Sequence, residues 1–296
     1  MTRQEIIFIT LTLILSHQGR GKIFSLPWRE RARVRGNLDM KRELTLTVDN
    51  LRLPGEVYLP ETTERPCPAL CLCHGIPSGQ PSSSDDRGYP GLAERFCSAG
   101  FITMIFNFRG AGEAEGNLDM LGWTRDLKAA IDYLAGLDEV DSSRLHLLGS
   151  SAGAAMSVYV TAHDPRVSSL VTFACPANFG FLADKKRLKG TIDHFRSIGV
   201  IRDADFPPSM DEWLNGFTAV TPLRWIDKIS PRPLLLIHGD KDDLVPIEHA
   251  HKLYKKAGKP KELVILPGAG HRLRLEEKAV TTALDRLKTT AKLTST

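Results

Sequence analysis

A serine between two glycines is the residue of this chain whose setting most clearly indicates chemistry. The segment Gly149-Ser150-Ser151-Ala152-Gly153 follows an apolar run at 144–148 and precedes a run of small and apolar residues from Ala154. The two runs predict a buried strand and a closely packed helix, with a sharp turn between them. Such a turn presents the Ser151 hydroxyl beside the free N–H groups of a helix N-terminus. The pattern predicts a nucleophilic serine, although a plain turn of small residues has the same composition.

The residues that could activate this serine follow two later apolar runs. A serine hydroxyl is a weak nucleophile at neutral pH and needs a histidine base, which a carboxylate orients. The run at 262–266 leads through Pro-Gly-Ala-Gly to His271. The run at 233–237 leads to three aspartates, Asp240, Asp242 and Asp243. Parallel strands bring their carboxyl ends to one sheet edge, so we expect an acid and a histidine beside Ser151.

The hydrogen-bond donors that acyl transfer needs for its oxyanion have candidates in two turns. One is the N–H group of Ala152, directly after the serine. A second is expected from the turn after the apolar run 69–73, which reads His74-Gly75-Ile76-Pro77. No histidine or carboxylate stands near His74 at zinc-ligand spacing. We therefore interpret His74 as a brace for that turn, not as a base or a metal ligand.

These turns resemble those of the α/β-hydrolase superfamily, which includes dienelactone hydrolase and the prolyl-oligopeptidase-type catalytic domains. The segment His-Gly-x-x-Asp-x-x-Val-Pro at 238–246 is similar to the acid loop of that family. Its matching acid is Asp242, with Asp240 as a loop-capping rival. The Gly-Ala-Gly-His turn is the family's usual setting for the base, which implies that role for His271. The His-Gly-x-Pro turn implies that the second oxyanion donor is the Ile76 N–H group.

The fold that this resemblance implies is an α/β-hydrolase fold, a mostly parallel eight-stranded sheet with helices on both faces. The likeness extends from Met40 to near Leu287, so a single hydrolase domain is expected over 40–296. An insertion at about 178–221, rich in aromatic residues, is expected to form a small lid over the active site. The alternative is that these aromatic side chains only attach the insertion to the core.

A glycine-rich stretch at 109–116 resembles a nucleotide site only superficially. Its spacing is G-x-G-x-x-x-G instead of G-x-G-x-x-G, and no acidic residue ends a following strand at the right distance. The stretch is similar to the Asn-x-Arg-Gly-x-Gly-x-Ser-x-Gly segment of many α/β-hydrolases, with Ala114 in place of the serine. Arg109 is therefore expected to tie loops together at the edge of the site, and contact with a substrate anion is the alternative.

The net charge and the cysteine content limit which binding partners and which cellular compartment are expected. The net charge of +4 equals that of residues 1–39 alone, which hold seven basic and three acidic residues, so the remainder is neutral. A neutral body gives no electrostatic reason to bind nucleic acid or an anionic membrane. The five cysteines are odd in number and lack a C-x-x-C pair. This usage favours reduced thiols and a cytoplasmic location.

The first 39 residues do not read as part of the domain. Their apolar run at 6–15 is too short to span a bilayer, and no A-x-A-like cleavage site follows it. The segment resembles translated intergenic DNA, whereas Met40 is followed at once by a strand with period-two alternation. We expect residues 1–39 to be a spurious or disordered extension and translation to start at Met40. A membrane anchor is the alternative.

The function expected from these features is hydrolysis of a carboxylic ester or related acyl bond in a small molecule. Ser151 attacks the carbonyl, His271 transfers the proton and Asp242 orients His271. No metal or cofactor is expected. A peptidase, a thioesterase or an acyltransferase could use the same residues. A non-catalytic binding protein could use the same fold, and labelling by a fluorophosphonate probe separates that class from the enzymes.

Overall fold

A computed structural model describes residues 41–61, 66–79, 86–180 and 185–293, apart from the side chains of 185–187. The expected extension at 1–39 and the expected start at Met40 lie outside the described residues, so both stay predictions.

Eight strands form one sheet in the order β1-β2-β4-β3-β5-β6-β7-β8. The strands β1 to β8 are Lys41–Val48, Leu51–Tyr58, Cys67–Cys73, Ile102–Phe106, Val140–Ser150, Val167–Phe173, Leu234–Gly239 and Lys261–Leu266. Strand β2 pairs antiparallel with β1 and β4, and the strands from β3 to β8 run parallel to one another. The predicted mostly parallel eight-stranded sheet is confirmed.

Helices cover both faces of this sheet, as predicted. In the described part of the chain, α1 to α7 are Gly88–Ser98, Met120–Ala135, Ala152–His163, Lys185–Ser197, Met210–Ala219, Glu248–Lys256 and Glu277–Ala291. Buried side chains of α2 and α3 belong to one apolar cluster, and those of α1 and α7 belong to another. Strand β3 shows why there are two clusters. Cys71 and Cys73 join the first and Leu70 and Leu72 join the second, because successive side chains of a strand point to opposite faces.

Helix α2 illustrates how local sequence sets an element that supports the site. Asp119 caps its N-terminus by accepting hydrogen bonds from the N–H groups of Leu121 and Gly122. Its buried side chains then recur at helical spacing, among them Trp123, Leu127, Ile131 and Leu134. This face packs on the sheet and carries Trp123 beneath the turn that follows β3.

The insertion between β6 and β7 contains α4 and α5 and is attached to the core by aromatic residues. Trp213 is 4% exposed, and its Nε1–H donates to the Leu118 carbonyl at 2.7 Å. The Phe217 ring lies 4.9 Å from the Trp213 ring and 5.3 Å from the Phe179 ring, measured between centroids. The attachment to the core that was the alternative to a lid is therefore present. Phe181, another aromatic residue of the insertion, lies outside the described residues.

Candidate active site

Ser151 sits at the abrupt junction between β5 and α3, as predicted. Its φ of 53° and ψ of −122° lie in a region that residues with side chains seldom occupy. Its N–H group donates to the Phe173 carbonyl at 2.9 Å, which fixes the turn to the end of β6. The serine hydroxyl does not cap its own helix. The strained turn thus holds the Ser151 side chain at the carboxyl edge of the sheet with its oxygen available.

The two glycines of the pentapeptide are required by close backbone contacts. A Cβ atom on Gly149 would lie 2.6 Å from the Cα atom of Ala154. A Cβ atom on Gly153 would lie 2.2 Å from the His74 carbonyl oxygen. Both distances are far below van der Waals contact and involve backbone, which cannot rotate away. The G-x-S-x-G pattern is therefore the steric condition for placing Ser151 beside the turn that follows β3.

Asp242 and His271 form a hydrogen-bonded pair at the ends of β7 and β8. The His271 Nδ1 atom lies 2.8 Å from Asp242 Oδ2. Asp242 Oδ1 accepts the N–H groups of Leu244 at 3.0 Å and Val245 at 2.8 Å. Burial disfavours the carboxylate, but the hydrogen bonds from His271 and Val245 outweigh it and hold the pKa of Asp242 below its usual value. Asp242 is thus an ionised, oriented acid beside His271.

The two neighbouring aspartates have different surroundings. Asp240 Oδ1 accepts the Gly268 N–H group at 2.7 Å, so this side chain ties the loop after β7 to the turn before His271. Asp243 is exposed and lines the cleft described below. Within the described residues, Asp242 is the aspartate of the three that hydrogen-bonds His271. Asp240 therefore has the loop-capping role that was its alternative to that of the acid.

The turn after β3 packs directly against Ser151. A Cβ atom on Gly75 would lie 2.8 Å from the Ser151 Cβ atom. Ile76 and Ala152 both line the cleft with Ser151, and within the described ranges neither of their N–H groups donates to another residue. Two backbone donors without internal acceptors beside a serine are what an oxyanion site requires.

His74 braces this turn, as the sequence indicates. The Phe108 N–H group donates to His74 Nε2 at 3.1 Å, and His74 Nδ1 lies 2.7 Å from the Gly75 carbonyl oxygen. These bonds assign the proton to Nδ1. The ring packs edge-on against Phe108 and Trp123, and burial lowers the pKa of His74. A neutral histidine with both ring nitrogens engaged is a structural support.

Arg109 ties the loop after β4 to helix α2 and to the turn between β1 and β2. Its guanidinium bonds the carboxylate of Asp126, with Nη2 at 2.6 Å from Oδ1, and it also lies 2.9 Å from Asp49. Its carbonyl accepts the Trp123 Nε1–H at 2.9 Å. Arg109 is 5% exposed. The predicted structural role is confirmed, because carboxylates on two sides occupy the guanidinium.

An open cleft of about 1290 Å³ brings the predicted residues together. Ser151, Ala152, Ile76 and His271 all line it, and Asp242 lies behind His271 with a fully buried side chain. Phe179 and Phe195 of the insertion line the same cleft. So does Leu244, whose side chain is unusually exposed for an apolar residue, at 69%.

Several residues of the site were not found from the sequence. The β1–β2 hairpin contributes Glu43 and Glu56 to the cleft, and α1 contributes Tyr89, whose pKa burial raises to about 12. Two histidines were also missed. His249 lies on α6, and its Nδ1 accepts the Ala177 N–H group at 2.9 Å. His238 is buried next to Asp242, and its place in the His-Gly-x-x-Asp segment was the signal that could have found it.

The described residues form neither a metal-binding cluster nor a membrane-spanning helix. They contain no group of three or more His, Cys, Asp or Glu side chains arranged to hold a metal ion. None of the helices in these ranges is both long enough and apolar enough to cross a bilayer.

Comparison with other sequences gives both a family and distant relatives. A model of the prolyl oligopeptidase family matches residues 92–289, about two thirds of the chain. The uncharacterized Mycobacterium tuberculosis protein Rv2307c is 28% identical over 231 residues, which is 76% of this chain and 70% of that protein. The quorum-quenching protein AidA of Acinetobacter baumannii is 29% identical over 137 residues, 45% of this chain and 43% of AidA. The match to AidA thus spans less than half of that protein, whereas the match to Rv2307c spans more than two thirds of it.

Solved structures share the fold at low sequence identity. The α/β hydrolase GrgF of Penicillium sp. sh18 superposes with a TM-score of 0.68 and 19% identity, covering 86% of this chain and all of GrgF. The esterase domain of a Rhodothermus marinus protein gives a TM-score of 0.62 and 22% identity, covering 86% of this chain and 98% of that domain. With the family model matching two thirds of its length, this chain belongs to the prolyl oligopeptidase family and has the α/β-hydrolase fold.

Proposed function

We propose that this protein is a serine hydrolase, of the carboxylesterase type, that cleaves a carboxylic ester or a related acyl bond in a small molecule. The observation that carries the proposal is the 2.8 Å bond between His271 Nδ1 and Asp242 Oδ2, beside the cleft that Ser151 enters from a strained turn. An acid–histidine pair and an exposed serine at one sheet edge are the parts of a nucleophilic triad.

The proposed reaction has two halves. His271 Nε2 takes the hydroxyl proton of Ser151 as the oxygen attacks the substrate carbonyl, and Asp242 stabilises the imidazolium that forms. The N–H groups of Ile76 and Ala152 donate to the developing oxyanion. His271 then gives the proton to the leaving group, which departs and leaves an acyl-serine. Water, deprotonated by His271, attacks the acyl-serine, and His271 returns that proton to the Ser151 oxygen as the bond breaks and the acid leaves.

An ester substrate has support from the neighbours and from the cleft. One structural neighbour is called an esterase domain, and the cleft is open along one side with apolar side chains from Leu244, Phe179 and Phe195. A peptidase is the second candidate, and its support is the family model, which describes prolyl oligopeptidases. Hydrolysis of p-nitroanilide peptides compared with p-nitrophenyl esters distinguishes the two; a thioesterase or acyltransferase would prefer acyl thioesters.

The remaining expectations are parts of the same proposal. Residues 178–221 act as a small lid, because two of their aromatic side chains reach the cleft. The enzyme is cytoplasmic, because buried cysteine thiols that form no disulfide within the described residues are typical of a reducing compartment. Translation starts at Met40. Intact-mass measurement of the native protein tests that start, and a peptide from residues 23–35 would contradict it.

Substitution of the serine is the direct test. Ser151→Ala is expected to abolish hydrolysis of p-nitrophenyl acetate and labelling by a fluorophosphonate probe. Ser150→Ala, one residue earlier, is the matched control and is expected to keep labelling. Retained activity in a folded Ser151→Ala protein would rule out the proposed nucleophile.

A further inference from the structure

We propose that His238 is a positioning residue that holds the loop after β7 so that Asp242 faces His271. The loop, residues 239–246, is called the acid loop below. The effect on catalysis rests on the proposed function, whereas the effect on the loop does not. His238 itself lies behind Asp242 and touches no group that the proposed reaction transfers.

His238 makes a hydrogen bond across the acid loop. His238 is the fifth residue of β7 and is 1% exposed. Its Nε2 atom lies 2.7 Å from the Val245 carbonyl oxygen. A carbonyl oxygen can only accept, so Nε2 carries the proton and donates it. This bond joins the end of the strand to the far end of the loop.

The backbone of Val245 links the His238 bond to Asp242. The Val245 N–H group donates to Asp242 Oδ1 at 2.8 Å, and the Leu244 N–H group donates to the same oxygen at 3.0 Å. Val245 therefore bonds to both residues. Its carbonyl oxygen accepts from His238, and its N–H group donates to the Asp242 carboxylate. With Oδ1 occupied, Oδ2 is left for His271. The Nε2 atom of His238 lies 3.4 Å from that same Oδ2, which adds a weaker direct contact.

The charge of the His238 ring depends on its burial and on the ionisable groups around it. The ionisable groups that act on His238 are Asp242 in the acid loop, His271 in the turn after β8, and His249 and His251 on α6. Burial is the largest influence and lowers the pKa of His238, so the ring is neutral at pH 7. A charged His238 would compete with His271 for the carboxylate. A neutral donor restrains the loop and leaves the negative charge of Asp242 to His271.

The variants separate the donated hydrogen bond from the bulk of the ring. His238→Gln keeps a donor that reaches the position of Nε2, whereas His238→Asn has a donor too short to reach Val245, and His238→Leu has none. The matched control is His146→Leu. His146 is also 1% exposed and lies within β5, where its Nδ1 is 2.8 Å from the Ser169 hydroxyl and its ring packs edge-on against Phe101, and neither partner lines the cleft.

Kinetics on p-nitrophenyl acetate give the first result. His238→Leu and His238→Asn are expected to lower kcat about 10- to 100-fold with KM changed less than about twofold, because a misplaced acid weakens only the transition state. His238→Gln is expected to stay within about threefold of the parent protein, and His146→Leu is expected to leave both constants unchanged. Parent-like kcat in a folded His238→Leu or His238→Asn protein, or no rescue by His238→Gln, would overturn the role.

Amide hydrogen exchange gives a result that does not depend on activity. The Leu244 and Val245 amides are expected to exchange at least about tenfold faster in His238→Leu and His238→Asn than in the parent or in His238→Gln. If the parent protein cleaves no ester, the proposed function fails and the exchange rates still decide the restraint. If esters are cleaved but these amides exchange equally in all the variants, the positioning role fails alone.

Discussion

The turns at the strand ends and the insertion between β6 and β7 border the same cleft but are held in different ways. The strand-end turns are residues 74–79, 149–153, 239–246 and 267–271. A Cβ atom on Gly153 would lie 2.2 Å from the His74 carbonyl oxygen, and one on Gly239 would lie 2.1 Å from the Ala269 carbonyl oxygen. In the insertion, Gly190 and Gly199 have no atom within 4 Å of such a Cβ. Backbone atoms pack tightly at these two turn glycines, whereas the insertion is held by aromatic side chains and by backbone bonds such as that from the Leu118 N–H group to the Val200 carbonyl oxygen at 2.8 Å.

This difference indicates how chemistry and substrate choice are divided in the molecule. The relative positions of Ser151, Asp242 and His271 depend on backbone atoms that no ordinary substitution can replace. The cleft wall formed by Phe179 and Phe195 depends on rings that other side chains could replace. Substitutions in the strand-end turns should therefore affect rate or folding, and substitutions in the insertion should affect substrate preference.

The largest effect is expected from the acid. Asp242→Asn should lower kcat for p-nitrophenyl acetate by about 10³- to 10⁴-fold, because a neutral amide neither holds the His271 tautomer nor stabilises the imidazolium. Steady-state kinetics with thermal unfolding as a folding control measure it. Asp243→Asn, at the exposed adjacent position, is the matched control and should change kcat less than about threefold. Equal losses of kcat in the two variants would show that Asp242 has no role that its neighbour Asp243 lacks.

The parts of the site that could be predicted from sequence are those in which a short segment specifies its own geometry. The glycines of 149–153 and the order Ser151, Asp242, His271 indicated both the sheet and its functional edge, because apolar strands and glycine turns are local signals. Asp242 and Asp240 could not be separated by spacing alone. The structure distinguishes them by their partners, His271 for Asp242 and the Gly268 N–H group for Asp240.

The contacts that could not be predicted join segments far apart in the chain. The β1–β2 hairpin reaches the cleft through the sheet order, which places β2 beside β4, and Tyr89 reaches it from helix α1. The role of His249 could not be predicted because its partner, the Ala177 N–H group, is 72 residues away. No local pattern of charge or hydrophobicity records such a contact. For the insertion, aromatic composition indicated burial but not which rings would face the cleft.

A comparison of glycines tests the contrast in backbone packing. Gly153→Ala should lower the free energy of unfolding by about 3 kcal/mol, because its Cβ would meet the His74 carbonyl, which is backbone. Gly190→Ala, inside α4 with open space around it, should raise the free energy of unfolding by up to about 1 kcal/mol through helix propensity. Chemical denaturation measures both. A neutral Gly153→Ala would mean that the turn after β3 can move away from α3.

The ion pair between Asp86 and Arg274 tests how the turn that carries His271 is anchored. Hydrogen bonds from Arg274 hold the pKa of Asp86 at about 2, against about 3.9 in an unfolded chain. Since the folded-state value is the lower, the carboxylate stabilises the fold above about pH 4, and that stability is lost as the pH falls toward 2. Asp86→Asn should cost about 2 kcal/mol at pH 7.

The pH dependence of that cost is the discriminating measurement. Urea unfolding of the parent and of Asp86→Asn should give free energies that differ at pH 7 and converge as the pH falls from about 4 to 2. A difference that stays constant over this interval would show that Asp86 acts through packing and not through its charge.

The smallest effect is expected in the insertion, where it should alter preference more than rate or folding. Phe195 lines the cleft, whereas Phe217 packs behind it on Trp213 and is not part of the lining. Phe195→Ala should raise KM for p-nitrophenyl butyrate about tenfold, or about 1.4 kcal/mol, and change KM for the acetate much less, because a longer acyl chain loses an apolar wall. Phe217→Ala removes a ring of equal size and should lower the free energy of unfolding without changing the butyrate-to-acetate ratio of kcat/KM.

If both variants shift that ratio equally, the insertion acts as one packed unit and the distinction between its cleft-facing and core-facing rings is wrong. If neither shifts it, substrate preference is set by the strand-end turns, and the division of labour between the two regions fails.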